Sequence, residues 1–185
     1  MASTLTPHCD VGKTAPDFKL LGTDGRWHTR DSASGPNGLL VMFICNHCPY
    51  VKAIRHRIIR DTIELLDFGI GSIAIMSNDP SSYPEDSWDS MQKISSEFNF
   101  PFPYVLDDTQ SIARSYGAVC TPDFFGFNRN LQLQYRGRLD SSGKTPATPD
   151  SPRELFTAMV QISQTGIGPD TQTPSIGCSI KWSSE

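Results

Sequence analysis

The sequence predicts a mixed α/β sandwich, a β-sheet covered by helices, on three observations. Strand-like and helix-like segments alternate through the middle of the chain. The apolar run Leu39–Ile44 is continuous rather than alternating, and Ile70–Met76 reads as a second buried strand. Turn chemistry places one hairpin before this alternation and another after it. Alternation implies parallel strands joined by helical crossovers, and continuous apolar runs suit strands buried on both faces. A chain of 185 residues buries about 70% of its unfolded surface in one core, so the expected organisation is a single domain over 1–185, with a core of about 12–165 and an irregular tail over 166–185.

Ala15–Leu21 and Arg26–His28 flank Gly22-Thr23-Asp24-Gly25, whose Asp-Gly pair suits a tight hairpin. Ser32–Gly38, with Pro36, reads as a loop before the Leu39–Ile44 strand. From Pro49 the period changes: Val51, Ile54, Ile58, Leu65 and Phe68 make an apolar stripe among Lys52, Arg55, Arg57 and Arg60, which predicts a helix to about Asp67. Pro49 fits its first turn, where the missing N–H has no partner anyway. Ile70–Met76 is the next strand, closed by Ser77-Asn78-Asp79-Pro80. Pro84-Glu85-Asp86 opens a helix striped by Trp88, Met91, Ile94 and Phe98. Tyr104–Leu106 is a short extended piece, and Asp108 is a candidate cap for a helix over Gln110–Tyr116 that stops at Gly117. Phe124–Phe127 and Leu131–Tyr135 form the late hairpin around Asn128-Arg129-Asn130. A last helix over about Pro152–Gln164 precedes the tail, which ends in Ile180-Lys181-Trp182.

A net charge of -4, with no basic stripe, gives no expectation of a nucleic-acid or membrane partner. Met1–Gly12 lacks the charged and apolar regions of a secretion leader, and five cysteines is an odd number for a disulfide framework. Both point to a reducing cytoplasm with functional thiols.

The chemistry centres on Cys45-Asn46-His47-Cys48, at the junction of a buried strand and a helix. A helix N-terminus presents unpaired N–H groups and a partial positive charge, which favour a thiolate. On this reading Cys45 attacks, and Cys48, with two residues between them, resolves the mixed disulfide. His47 between them would stabilise the Cys45 thiolate if partly protonated. Buried inert thiols and half of a zinc or copper site are the alternatives, although no second Cys-x-x-Cys or spaced His pair completes a metal set. No cofactor or resident metal is expected.

Val119-Cys120-Thr121-Pro122-Asp123, just before the late hairpin, resembles the thioredoxin superfamily, in which a cis-proline after Thr, Val or Ile faces the dithiol. The Phe43–Val51 segment, Phe-Ile-Cys-Asn-His-Cys-Pro-Tyr-Val, resembles the peroxiredoxin-like, AhpC/TSA-like branch of that superfamily. So do Tyr83–Ser87, Phe102–Tyr104, Tyr116–Phe125 and Ser175–Trp182. The resemblance runs from about Gly12 to Trp182. It implies a thioredoxin-like fold with an N-terminal hairpin extension, and Thr121-Pro122 backbone groups free to bind an extended substrate. The implied activity is thiol–disulfide exchange on protein or small-molecule disulfides, with glutathione or thioredoxin as possible reductant.

The chain departs from a typical thioredoxin in carrying Ile44 rather than Trp before the first cysteine, and no acid in Leu39–Phe43. It departs from peroxiredoxins in lacking their threonine and proline upstream of Cys48, and neither Arg138 nor Arg114 fits the position of the peroxide-polarising arginine. Peroxide reduction with an antioxidant role is therefore the second reading, and a zinc- or copper-binding module the third. Cys120 and Cys178 are candidate further thiols, the latter if the tail docks it on Cys45 or Cys120; as apolar packing both are equally accounted for. Cys9 reads as incidental, His28 and His56 as solvated, and Glu85-Asp86 and Asp107-Asp108 as helix caps.

Overall fold

The structure, a computed structural model, describes residues 3–183; residues 1–2 and 184–185 of the expected domain and tail lie outside the described residues. In chain order the elements are β1 (Ser3–Leu5), β2 (Lys19–Gly22), β3 (Trp27–Thr29), α1 (Arg30–Ala33), β4 (Gly38–Phe43), α2 (Pro49–Leu65), β5 (Ile70–Met76), α3 (Trp88–Glu97), β6 (Tyr104–Leu106), α4 (Ser111–Tyr116), β7 (Cys120–Thr121), β8 (Asp123–Asn128), β9 (Leu133–Tyr135), α5 (Glu154–Thr165) and β10 (Ile176–Ser179). No helix among the described residues is long and apolar enough to cross a membrane.

The large sheet runs β3-β2-β6-β5 and then β4-β8-β9, with β4 beside β5 and the Ile44 N–H donating to the Ile75 carbonyl at 3.1 Å. Parallel pairing is confined to its centre: β5 pairs parallel with β6, whereas β2–β6, β4–β8 and β8–β9 are antiparallel. The mixed sheet that the sequence predicts is what the structure has, with the N-terminal hairpin as well as the late one adding antiparallel strands on the flanks. β4 is buried along its whole length. Leu40 and Met42 pack with Ile54 and Ile58 of α2 and Met159 of α5, while Leu39, Val41 and Phe43 pack with Phe125, Phe127 and Tyr116 on the other face. At about 1.5–3 kcal/mol per fully buried large apolar side chain, this strand anchors both layers.

Two local expectations change. Arg30–Ala33 is one helical turn rather than loop, because Thr29 and Ser32 form a reciprocal capping box. α4 is capped by Asp107, not Asp108: the Asp107 carboxylate accepts from the N–H groups of Ile112 and Ala113 and from Ser77 Oγ, while Asp108 is exposed. Gly117 ends α4 at φ 68°, as a left-handed C-cap requires.

The tail is not irregular. β10 joins a small antiparallel sheet of order β1-β10-β7, with Cys178 opposite Thr121 on one side and Ser3 on the other. Ile176-Gly177-Cys178-Ser179 has little strand propensity of its own, so pairing along both edges makes it a strand. Gly177 permits that pairing: a Cβ there would run into the Thr121 carbonyl. Ile180 is buried and Ile176 and Trp182 stay largely exposed, so Ile180 carries the apolar docking.

Candidate active site

β4 delivers the motif to the centre of the molecule. After Phe43 the chain leaves the sheet, and Cys48 becomes the N-cap of α2 with Pro49 following it. Both sulfurs are buried, with Cys45 1% and Cys48 0% exposed, and all five cysteines are free thiols. The Thr121–Pro122 peptide is cis, and Thr121 faces the dithiol with two groups. Its hydroxyl lies 3.2 Å from Cys45 Sγ, and its carbonyl accepts from the Cys48 thiol at 3.1 Å.

The two sulfurs stand in opposite electrostatic surroundings. Hydrogen bonding from Cys45 is the largest influence lowering the Cys48 pKa, which falls to about 4 with help from the N–H groups of Val51 and Cys178 and the Cys178 thiol, against burial. Donating to Cys48, burial and the nearby Asp86 charge push the Cys45 thiol well up. The helix field expected at Cys45 falls more directly on Cys48, which is the N-cap residue of α2 and stands three positions closer to it. Partners exist for both singly protonated states. The Thr121 hydroxyl can donate to a Cys45 thiolate while Cys48 S–H donates to the Thr121 carbonyl, and the Cys45 thiol can donate to a Cys48 thiolate, the state that the lowered Cys48 pKa favours.

Asp86, read from sequence as a cap, is the residue that holds the motif loop. It is fully buried and accepts from the N–H groups of Asn46 (2.8 Å) and His47 (3.1 Å), from His47 Nδ1 (2.5 Å) and from Asn78 Nδ2 (2.9 Å). The turn Pro84–Asp86 aims it inward, and Ser87 is the cap of α3 instead. Asn46 is fixed further by the Glu85 carbonyl and the Tyr104 hydroxyl. His47 stacks on Tyr83 with centroids 4.2 Å apart. Its Nδ1 is hydrogen-bonded to the Asp86 carboxylate, and Cys45 Sγ lies 3.7 Å from the same nitrogen. The expected stabilisation of a Cys45 thiolate by His47 is therefore opposed by the Asp86 charge behind the ring. His47 Nε2 is buried without a protein partner. Sequence reasoning also missed Asn78 and Tyr104; the only local signals were a polar Asn at the end of an apolar strand and the Tyr83–Ser87 segment.

The other candidates sort by distance from the sulfurs. Cys178 reaches Cys48, not Cys45 or Cys120 as its first partner, and its thiol is pushed up to about 11 by burial and then by its bond to Cys48. Cys120 is buried, donates to the Pro122 carbonyl at 3.6 Å, and is pushed well up by burial and Asp123. Thr121 does not present a free strand edge, because β10 fills it. Asp123 stands opposite Phe43 but is bound to Arg136 at 2.8 Å, so it supplies no free acid beside β4. The Arg138 guanidinium is paired with Glu154 and that of Arg114 lies over the Trp182 ring. Cys9 is half-buried away from the site, lining a cavity with Arg136. His28 pairs with Asp24, and the exposed His56 packs on Phe98.

Cys45, His47 and Asp86 are the residues that could hold a metal, their ligand atoms lying within 4.8 Å of one another. Nδ1 is already committed to Asp86, so an ion would have to break that bond. Beside Pro122, an apolar cavity of about 260 Å³ is lined by Tyr50, Ile54, Phe124, Leu139 and Ile176.

A model of the AhpC/TSA family matches residues 11–136. The chain belongs to the AhpC/TSA family. This AhpC/TSA protein is 39% identical to an uncharacterised conserved protein of Geobacillus kaustophilus, whose crystal structure superposes with a TM-score of 0.93 over 100% of this chain and 98% of that one. It is 24% identical over 131 residues, 67% of each chain, to the thiol-disulfide oxidoreductase ResA of Geobacillus thermodenitrificans (strain NG80-2). The thioredoxin domain of a thiol-disulfide oxidoreductase from Bacteroides vulgatus shares the fold at 16% identity, with a TM-score of 0.58 over 70% of this chain and 89% of that one. The fold is thioredoxin-like.

Proposed function

We propose that the protein is a thiol–disulfide oxidoreductase of a reducing compartment, acting through Cys45 and Cys48 on protein or small-molecule disulfides. The observation that carries this reading is the pair of buried free sulfurs where β4 runs into α2, both facing Thr121, Cys45 its hydroxyl and Cys48 its carbonyl. The thiol-disulfide oxidoreductase ResA among its relatives supports the same class.

In the reduced pair one proton lies between the sulfurs. Moving it from Cys45 to Cys48 creates the Cys45 nucleophile with no external base, and the Thr121 hydroxyl then donates to it. The Cys45 thiolate attacks a disulfide R–S–S–R′, forming Cys45–S–S–R and releasing R′–S⁻. Cys48 gives up its proton to that thiolate and attacks Cys45 Sγ, releasing R–S⁻ and leaving the Cys45–Cys48 disulfide. Two thiols of an external reductant, such as glutathione or a thioredoxin dithiol, restore it. The apolar cavity beside Pro122 suits an apolar side chain flanking the partner's disulfide.

A glutathione redox titration tests this. The Cys45–Cys48 disulfide is expected to form reversibly and to be absent in Cys45→Ser; thiols that stay free at oxidising poise in the folded protein refute it. Family membership favours peroxide reduction as the second reading. Catalytic loss of hydrogen peroxide with a trapped sulfenic acid would establish that reading, and a rate no faster than that of free cysteine would remove it.

A further inference from the structure

Cys178 is positioned by an element that the dithiol reading does not use. β10 is held at both ends. Ser175 Oγ donates to the Pro122 carbonyl and the Thr6 N–H to the Ser175 carbonyl, both at 3.0 Å. Beyond the strand, Lys181 accepts from Gln110 Nε2 and the Asp79 N–H through its carbonyl, and donates its own N–H to Asn78 Oδ1 at 2.9 Å. Asn78 in turn donates to Asp86, so the tail is bonded into the same network that holds the Cys45–Cys48 loop.

Directly opposite residues of an antiparallel pair project their side chains from the same face. Cys178 is opposite Thr121, whose hydroxyl points at Cys45 Sγ, so the Cys178 thiol emerges on the dithiol side. There it neighbours Cys48, whose charge and hydrogen bonding help raise the Cys178 thiol, and Cys45, Cys48 and Cys178 belong to one buried cluster. The three sulfurs therefore form a series with Cys48 in the middle.

We propose that Cys178 is a third redox thiol, which attacks Cys48 in the Cys45–Cys48 disulfide and moves the oxidised bond to Cys48–Cys178. The proposal rests on the dithiol reading above for the origin of that disulfide. The Cys178 thiolate forms a bond to Cys48 Sγ, the Cys45–Cys48 bond breaks, and Cys45 leaves as thiolate and takes up the proton that Cys178 lost. Cys178 is oxidised and Cys45 reduced, with no further oxidant. Formation of the first disulfide removes the Cys48 charge that helps hold the Cys178 thiol up, so the attacking group is released at the step that needs it. The product ties β10 covalently to the start of α2 and returns Cys45 as a free thiol, ready for a second disulfide substrate, while two thiols of the reductant reduce Cys48–Cys178 by exchange.

Wild type, Cys45→Ser and Cys178→Ser, equilibrated with oxidised and reduced glutathione over a range of poise, quenched in acid, alkylated and mapped by mass spectrometry, test this. Wild type is expected to give both the Cys45–Cys48 and Cys48–Cys178 disulfides, Cys45→Ser only Cys48–Cys178, and Cys178→Ser only Cys45–Cys48. Full alkylation of Cys178 at every poise in wild type, while Cys45–Cys48 forms, overturns the relay and leaves the dithiol reading standing. Absence of Cys45–Cys48 in both wild type and Cys178→Ser overturns both. Wild type decides the matter by itself, so a variant that folds poorly does not rescue the proposal.

Discussion

The two cysteines of one motif are three residues apart and live in different media. Cys45 is backed by a buried carboxylate: Asp86 collects four donors, holds His47 and Asn46, and keeps negative charge next to the sulfur. Cys48, the N-cap of α2, has the Cys45 and Cys178 thiols beside it, and its own thiol faces the Thr121 carbonyl. A Cys-x-x-Cys at a helix start is therefore not one electrostatic object. The helix activates its cap residue, and whatever packs on the preceding turn decides the fate of the other thiol.

The largest expected blow to this contrast is Asp86→Ala. It strands two backbone N–H groups, the Asn78 amide and the His47 ring proton in a fully buried site, at a cost of about 3–5 kcal/mol in urea unfolding. Asp86→Asn, which keeps part of the bonding and removes the charge, is expected to bring the Cys45 pKa down, read as a shift in the pH dependence of its alkylation rate.

Next comes the pH dependence of stability in the reduced protein. Cys48 is lowered from near 9 to about 4 on folding, so its contribution is full above the unfolded value and is lost as pH falls toward 4. Cys45 is raised, so the folded state retains a proton that the unfolded chain releases above pH 9, and stability declines there. The pair therefore contributes a maximum near pH 9, which oxidation to the disulfide should abolish; coincident pH profiles of the two forms would contradict the assignment. Gly177→Ala forces β10 off the Thr121 carbonyl and is expected to cost about 1–3 kcal/mol, with a drop in thiolate absorbance as Cys48 loses its Cys178 donors. The smallest effect belongs to Tyr104→Phe, about 1 kcal/mol from the lost bond to Asn46, with the thiol titration little changed.

What the sequence determined by itself is the part built from short-range patterns. The apolar run of β4, the stripe Val51-Ile54-Ile58-Leu65 with Pro49 at its start, the Gly117 stop and the Asp24-Gly25 turn each follow from periodicity or backbone preference within a few residues. The motif and Thr121-Pro122 were legible as candidate chemistry for the same reason. Only the tertiary structure decided that Asp86 turns inward rather than capping α3, that β10 exists, and that Cys178 meets Cys48 rather than Cys45. A buried carboxylate needs donors from segments forty residues away, and a strand of weak propensity needs two edges supplied by β1 near the N-terminus and β7 in the second half of the chain. Neither leaves a local pattern. The dithiol was readable as a pair; the direction of its charge was set by those distant partners.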